Sequence, residues 1–454
     1  MSKLVASIKE AIEKCGLQDG MTISFHHHMR NGDYVLNMVL EQIAQMGYKN
    51  LTVNASSVFD VHEPIIGHIK NGVVTGIECN YMGAKVGKAI SEGIMDKPVI
   101  FRSHGGRASD MEKGTSKIDI AFIAAPTSDD MGNCTGKFGK SACGSIGYAF
   151  ADAMNAKKVV VITDNLVEYP LVDFSIPEVY VDYVVAVDQI GDPAGIVSGT
   201  TKITRDPVGL KMASYAAKVI DASGLLKDGF SFQTGVGGPS LAANLFLEQY
   251  MDERNIKMGW AIGGICGPMV ELLKKGKVGK VIDVQDFDLD AVNSINQTPN
   301  HFEMSASQYA NPANKGAFVN KLDFVVLAAL EVDTDFNVNV LTGSDGVLRG
   351  APGGHPDTAA GSKCCIIVTP LTRGRMATVC EHVVTVTTPG ESVDIVVTDY
   401  GVAVNPRRPD LLEALKAADC VPLKTIEELR DIAYSIVGEP EKVQFGDRIV
   451  GIIE

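Results

Sequence analysis

Short apolar runs rich in β-branched residues alternate along the chain with stretches whose apolar residues recur at i, i+3 and i+4. The runs predict buried strands at Asn50–Val53, Val99–Phe101, Ile118–Ala124, Lys158–Ile162, Tyr183–Val187, Val281–Asp283, Phe324–Ala329, Cys364–Val368, Val383–Thr387 and Ile395–Val397. The helical spacing is plainest at Tyr34–Met46, Ser240–Asp252 and Pro409–Ala417. A strand that is apolar throughout needs cover on both faces, and helices placed between strands supply it. The expected fold class is therefore α/β with a mostly parallel, open sheet. At 454 residues the chain exceeds one ordinary core, which predicts two domains of roughly 200 residues each. Its 46 glycines and 6% aromatic content suit tight strand-to-helix turns better than a β-sandwich.

An internal likeness says where the chain divides. Gly16-Leu17-Gln18-Asp19-Gly20 leads into a strand ending Ser24-Phe25, and Gly224-Leu225-Leu226-Lys227-Asp228-Gly229 leads into one ending Ser231-Phe232. Each is preceded by an apolar helix, and each is followed by a polar or glycine-rich loop and another helix. The expected halves are residues 1–222 and 223–454. Open α/β sheets bind ligands at the carboxyl ends of strands and at domain interfaces, so the active site is expected between the halves.

Several function classes are disfavoured. Net charge is −14 with no long Lys/Arg run, so the basic face that nucleic acid binding requires is missing. The segment through Leu17 carries charges throughout and reads as an amphipathic helix without a secretory core. The apolar runs Ile118–Pro126 and Phe324–Leu330 fall far short of the ~20 residues of a membrane span. Nine scattered cysteines without a C-x-x-C pair point to a reducing cytoplasm and buried free thiols, Cys364 and Cys365 among them. Cys134 and Cys143 also read as packing residues. No G-x-S-x-G elbow, Walker A loop or H-E-x-x-H motif is present.

Four loops could carry chemistry. In Gln233–Ser240, Gly235, Gly237 and Gly238 let backbone N–H groups approach an anionic ligand at a helix start. A dinucleotide fingerprint is incomplete there, because Asp252 and Glu253 fall before the next strand and not at its end. In Arg349–Asp357, the N–H groups of Gly353 and Gly354 are candidates to stabilise an oxyanion, beside Arg349 and His355. His26-His27-His28-Met29-Arg30 reads as an anion-binding loop through His27, His28 and Arg30. Alternate side chains of a strand point apart, so no metal is expected at the three histidines. Arg102-Ser103-His104-Gly105-Gly106-Arg107 offers two guanidiniums suited to bidentate carboxylate recognition, and Arg373 and Arg375 are further candidates.

Ala329–Asp333, Asn337–Asn339 and Gly350–Asp357 together resemble the acyl-CoA transferase and hydrolase superfamily, as do Val386–Pro389 and Val396–Ala403. Within it the whole chain is similar to the citrate lyase alpha subunit family, through Ser24–Arg30, Phe101–Arg107 and Thr234–Gly238. The resemblance implies two related CoA-transferase-like α/β domains. It implies exchange of acetate for citrate on the thiol of an acyl carrier protein, with free CoA esters as substitutes. No cofactor of its own would be tightly bound; the CoA-like prosthetic group belongs to the carrier. The implied partners are a citryl-lyase (beta) subunit and the acyl carrier (gamma) subunit in a cytoplasmic oligomer. Citrate carries three carboxylates, and the clamp for them is expected from His27, His28, Arg30, Arg102, Arg107, Arg349 and His355. Gly235, Gly237 and Gly238 are expected to hold the carrier arm.

One departure bears on mechanism. Many members of the superfamily resemble one another in a glutamate that attacks the thioester. Here the corresponding stretch, Lys257 to Pro268, has no carboxylate before Glu271. The expected alternative is direct attack by a citrate carboxylate, giving a mixed anhydride, which needs orientation more than acid–base machinery. A transferase or hydrolase for another carboxylic acid, or a non-catalytic scaffold of the complex, are the competing readings.

Overall fold

A computed structural model describes residues 2–197 and 202–454. Seventeen strands build its two large sheets. The first half supplies β1 (Leu4–Val5), β2 (Thr22–Phe25), β3 (Leu51–Ala55), β4 (Val74–Cys79), β5 (Val99–Phe101), β6 (Ile120–Ala124), β7 (Lys158–Thr163) and β8 (Tyr183–Ala186). The second supplies β9 (Phe230–Thr234), β10 (Met258–Ile265), β11 (Val278–Asp286), β12 (His301–Glu303), β13 (Phe324–Ala328), β14 (Cys364–Val368), β15 (Ile395–Val397) and β16 (Val402–Val404). The last strand, β17 (Gly451–Ile453), returns to the first sheet beside β5.

The sheet orders are β1-β8-β7-β6-β2-β3-β4-β5-β17 and β12-β11-β10-β9-β13-β14-β15-β16. Every neighbour in them is parallel except β15 and β16. Stripped of β1, β16 and β17, the two orders coincide: each half starts with its central strand, adds three strands to one side and then three to the other. The likeness of the two Gly-Leu…Gly segments is thus the start of one topology used twice. Two elements cross the expected division at residue 222. The helix Pro207–Ala222 gives Met212, Ala216, Val219 and Ile220 to the core of the second sheet, and β17 joins the first.

Most predicted strands are present within a few residues. Val383–Thr387 is not a strand: Val386 is exposed, and Thr387 bonds through its hydroxyl to Val338 O and Val340 N. The sequence reading missed β10, because Gly259, Gly263 and Gly264 dilute its apolar run. Those glycines are required by close approach, since a Cβ on Gly264 would lie 1.9 Å from Phe287 Cζ. All nine cysteines are free thiols, and Cys364 and Cys365 are buried. Among the described residues no helix is long and apolar enough to cross a membrane.

The carboxyl ends of the two sheets face one another, and loops leaving them interlock. Ser103 and Gly353 form a parallel bridge, Met82 N–H donates to Gly350 O at 2.9 Å, and Ala306 N–H to Gly147 O at 2.9 Å. Glycines permit the approach: a Cβ on Gly105 would lie 1.8 Å from the Ala310 carbonyl oxygen, and one on Gly144 1.6 Å from Asp286 Oδ2.

Candidate active site

β2 delivers His26, His27 and His28 to the seam, and all three are buried. Their ring nitrogens are already used. His27 Nδ1 meets Ser56 Oγ at 2.6 Å and its Nε2 meets Gln285 Oε1 at 3.1 Å, while Gln285 Nε2 donates to His27 O at 3.3 Å. His28 Nε2 accepts Tyr148 N–H at 3.1 Å, His26 Nε2 accepts Ala124 N–H at 2.9 Å, and the two Nδ1 atoms are 2.5 Å apart. Tyr148 packs against His27 and His28, ring centroids 4.7 and 5.5 Å away. Desolvation lowers His26 to about 4 and holds His27 and His28 well below the usual histidine range. The triad of histidines is a neutral wall.

Arg30 is different. It has a positive φ of 54°, which turns the chain sharply after the histidines and aims the side chain inward. The guanidinium lies 4.9 Å from the Phe59 ring centroid and 5.5 Å from that of Phe287, so each half supplies one aromatic neighbour. Its Nε is buried with no hydrogen-bond partner, and no carboxylate among the described residues pairs with it. Burial lowers it to about 10, still charged at neutral pH. A desolvated cation without a counter-charge is costly, and an anionic ligand would offset that cost.

The other predicted arginines have partners, except Arg375, which is exposed and has no ion pair among the described residues. Arg107 makes a bidentate pair with Asp152 at 2.7 and 2.9 Å and also bonds Asn54. Arg102 contacts Glu78, Asp110 and Glu454, each at 2.6 Å. Arg349 is exposed and pairs with Asp345, and Arg373 donates to Ala329 O at 3.0 Å. His355 is likewise bound, Nδ1 to Thr388 Oγ1 at 2.7 Å and Nε2 to Ala328 O at 3.0 Å. Of the seven residues expected in the clamp, Arg30 is the cation that has no carboxylate partner among the described residues.

The Pro352–Asp357 turn faces this wall from the second half. Gly353 N–H donates to Asn80 O at 3.2 Å, whereas Gly354 N–H has no acceptor among the described residues. A Cβ on Gly354 would lie 2.8 Å from Tyr309 Oη and 3.4 Å from His104 Cδ2, so the glycine lets the turn approach both rings closely. Asp357 accepts from Ser103 Oγ at 2.6 Å and Gly105 N–H at 2.9 Å, tying the start of the helix His104–Lys113 to the turn. Desolvation raises its carboxyl to about 7. A cavity of about 340 Å³ bounds the turn on its outer side, between Pro352, Asp357 and Glu454. Gly235 N–H donates to Val326 O at 2.8 Å, and Gly237, at φ 152°, packs on Ala328 beside it. The glycine turn, which leaves β9, thus meets the end of β13 at Ala328, the residue whose carbonyl also holds His355 of the Pro352–Asp357 turn.

Sequence reasoning missed three features. Gln285 is the second-half residue that grips His27, through both ends of its side-chain amide. His104 stands in the sequence between two more conspicuous residues, Arg102 and Arg107. Asp283, Asp286 and His301 have ligand atoms within 4.8 Å of one another. Asp286 accepts Ser145 N–H at 2.8 Å across the seam, and His301 bonds Asp283 at 3.2 Å. Desolvation raises Asp283 to about 7 and Asp286 well above the usual carboxylate range. Only their fold-level contacts, not their spacing in sequence, reveal them.

Comparison with known proteins adds the family. The family described as "Citrate lyase, alpha subunit" matches residues 1–454. The citrate lyase alpha chain of Haemophilus influenzae is 53% identical over 451 residues, covering 99% of this chain and 90% of that one. That of Escherichia coli is 51% identical over 451 residues, covering 99% and 88%. A solved structure described as the alpha subunit of citrate lyase in complex with citrate, from Streptococcus mutans, superposes with a TM-score of 0.98 at 55% identity, over 100% of this chain and 89% of that one. A Pseudomonas malonate decarboxylase hetero-tetramer shares the fold at a TM-score of 0.73 and 16% identity, over 96% of this chain and 86% of that one.

Proposed function

The chain belongs to the citrate lyase alpha subunit family, and we propose that it exchanges acetate for citrate on the thioester of an acyl carrier protein. The observation that carries this reading is Arg30, a buried guanidinium without a carboxylate partner at the seam between two sheets. A carboxylate of citrate pairs with that guanidinium bidentately. A second carboxylate of the same molecule attacks the acetyl thioester carbon: the new C–O bond forms, the carbonyl electron pair moves to oxygen, and collapse expels the carrier thiolate. The thiolate then attacks the citryl carbonyl of the mixed anhydride, acetate leaves, and the citryl thioester remains.

No residue of the protein need bond covalently. Three carboxylates near the seam accept from protein donors: Asp357 from Ser103 and Gly105, Asp286 through Oδ2 from Ser145, and Glu331 from Asn339. The Gly354 N–H takes the oxyanion role first considered for both glycines, and the Gly235–Gly238 turn holds the carrier arm. In this reading the carrier bears the CoA-like group, a separate lyase subunit consumes the citryl thioester, and the assembly works in the cytoplasm. The test is acetate release from the acetyl carrier by the assembled complex. Release that depends on citrate is expected; release with water alone would indicate a hydrolase, and none with any acid would indicate a scaffold.

A further inference from the structure

Of the histidines that line the seam, His104 alone has unused ring nitrogens. It is the first residue of the helix His104–Lys113, whose cap Ser103 accepts Gly106 N–H at 2.9 Å. Its backbone N–H donates to Gly353 O at 2.9 Å, which fixes the residue to the opposing turn. The ring lies 4.4 Å from that of Tyr148 and 5.8 Å from that of His27, centroid to centroid. Nδ1 is enclosed and has no hydrogen-bond partner. The other edge faces the glycine turn: Nε2 is 3.7 Å from where a Gly353 Cβ would stand, and Cδ2 3.4 Å from a Gly354 Cβ. An N–H with no acceptor costs more in an enclosed site than a bare lone pair, so the proton belongs on Nε2, toward the open side.

From this geometry we propose that His104 is a catalytic residue, donating Nε2–H to the oxyanion that forms when a citrate carboxylate adds to the acyl thioester, beside the N–H of Gly354. The assignment rests on the transferase reading above. No proton is transferred: the oxygen gains the carbonyl pair, holds it against the two donors, and returns it as thiolate leaves. Burial, with the charge of Arg107, lowers the imidazole to about 3, so it is an uncharged donor at neutral pH. Uncharged imidazole at a helix start is a known way to polarise a carbonyl without competing for the proton.

The experiment compares His104→Ala and His104→Gln in the assembled complex. Loss of one oxyanion donor predicts a fall in kcat of about 10²–10³ for His104→Ala, with the KM for citrate nearly unchanged. Gln, whose amide N–H reaches the position of Nε2, is expected to recover roughly tenfold of that loss or more. The kcat of the unaltered complex is expected to show no inflection near pH 6.5. A His104→Ala complex with kcat within about threefold of the parent overturns the assignment. So does a Gln variant no better than Ala at equal thermal stability, or a histidine inflection in the parent profile. Failure of the unaltered complex to consume citrate would instead sink the transferase reading, and this assignment with it.

Discussion

Arg30→Ala is expected to raise the KM for citrate by about 30-fold to several thousandfold, the range that follows from losing one side of a desolvated charge pair at roughly 2–5 kcal/mol. The KM for the acyl thioester should move far less, because the thioester carries no charge at its reacting end. The thermal midpoint should change little: the variant loses contact with the Phe59 and Phe287 rings but also removes a buried cation that lacks a counter-charge. Arg30→Lys separates charge from shape. It keeps the cation without the planar fork, so it should recover part of the affinity and not all of it. A citrate KM within about threefold of the parent in Arg30→Ala would remove Arg30 from the clamp.

Gly105→Ala isolates the docking of the two halves. Within a helix, alanine is favoured over glycine by roughly 1 kcal/mol, so local propensity predicts a gain. The structure predicts a loss, because the new Cβ would stand 1.8 Å from the carbonyl oxygen of Ala310 and 2.3 Å from its carbon. Both are backbone atoms, which cannot turn aside as a side chain would. The expected net cost is about 3 kcal/mol or more, at the upper end for overpacking. Spread over the unfolding entropy of 454 residues, that lowers the midpoint by roughly 3 °C. Activity should fall as well, since His104 and the Asp357 contact flank the displaced residue. Gly67→Ala is the control: it lies in the helix Ile65–Lys70, where a Cβ would meet nothing within 4 Å, and should be neutral or slightly stabilising. Equal effects at the two positions would contradict the interlocked seam.

The parallel sheets were legible because a buried parallel strand must be apolar on both faces, as runs such as Phe324–Ala328 and Cys364–Val368 are. β10 was hidden because its glycines answer to Phe287, Gln233 and Gly229, neighbours known only from the fold. Val383–Thr387 misled for the opposite reason: its alternation of Val and Thr serves hydroxyl bonds to Val338 and Val340, not a ladder.

The site was legible as loops and not as roles. Sequence shows which residues could bind a carboxylate, but not which of them are already spoken for. Arg107 looks as suitable as Arg30 until Asp152 is seen across its guanidinium, 45 residues away along the chain. His27 looks like a ligand donor until Gln285, 258 residues distant, closes its ring. The signal that could have raised His104 was a Ser followed by His at a helix start, a pattern that places an imidazole in the field of the helix.

The central claim is that citrate itself supplies the nucleophile. It is tested most directly by a single turnover with the complex in excess over its acetyl thioester, in the presence of citrate labelled with ¹⁸O in its carboxylates. Direct attack predicts that the acetate released in that first turnover carries one labelled oxygen, transferred through the mixed anhydride. Unlabelled acetate, with the label retained on a protein carboxylate, would contradict the account.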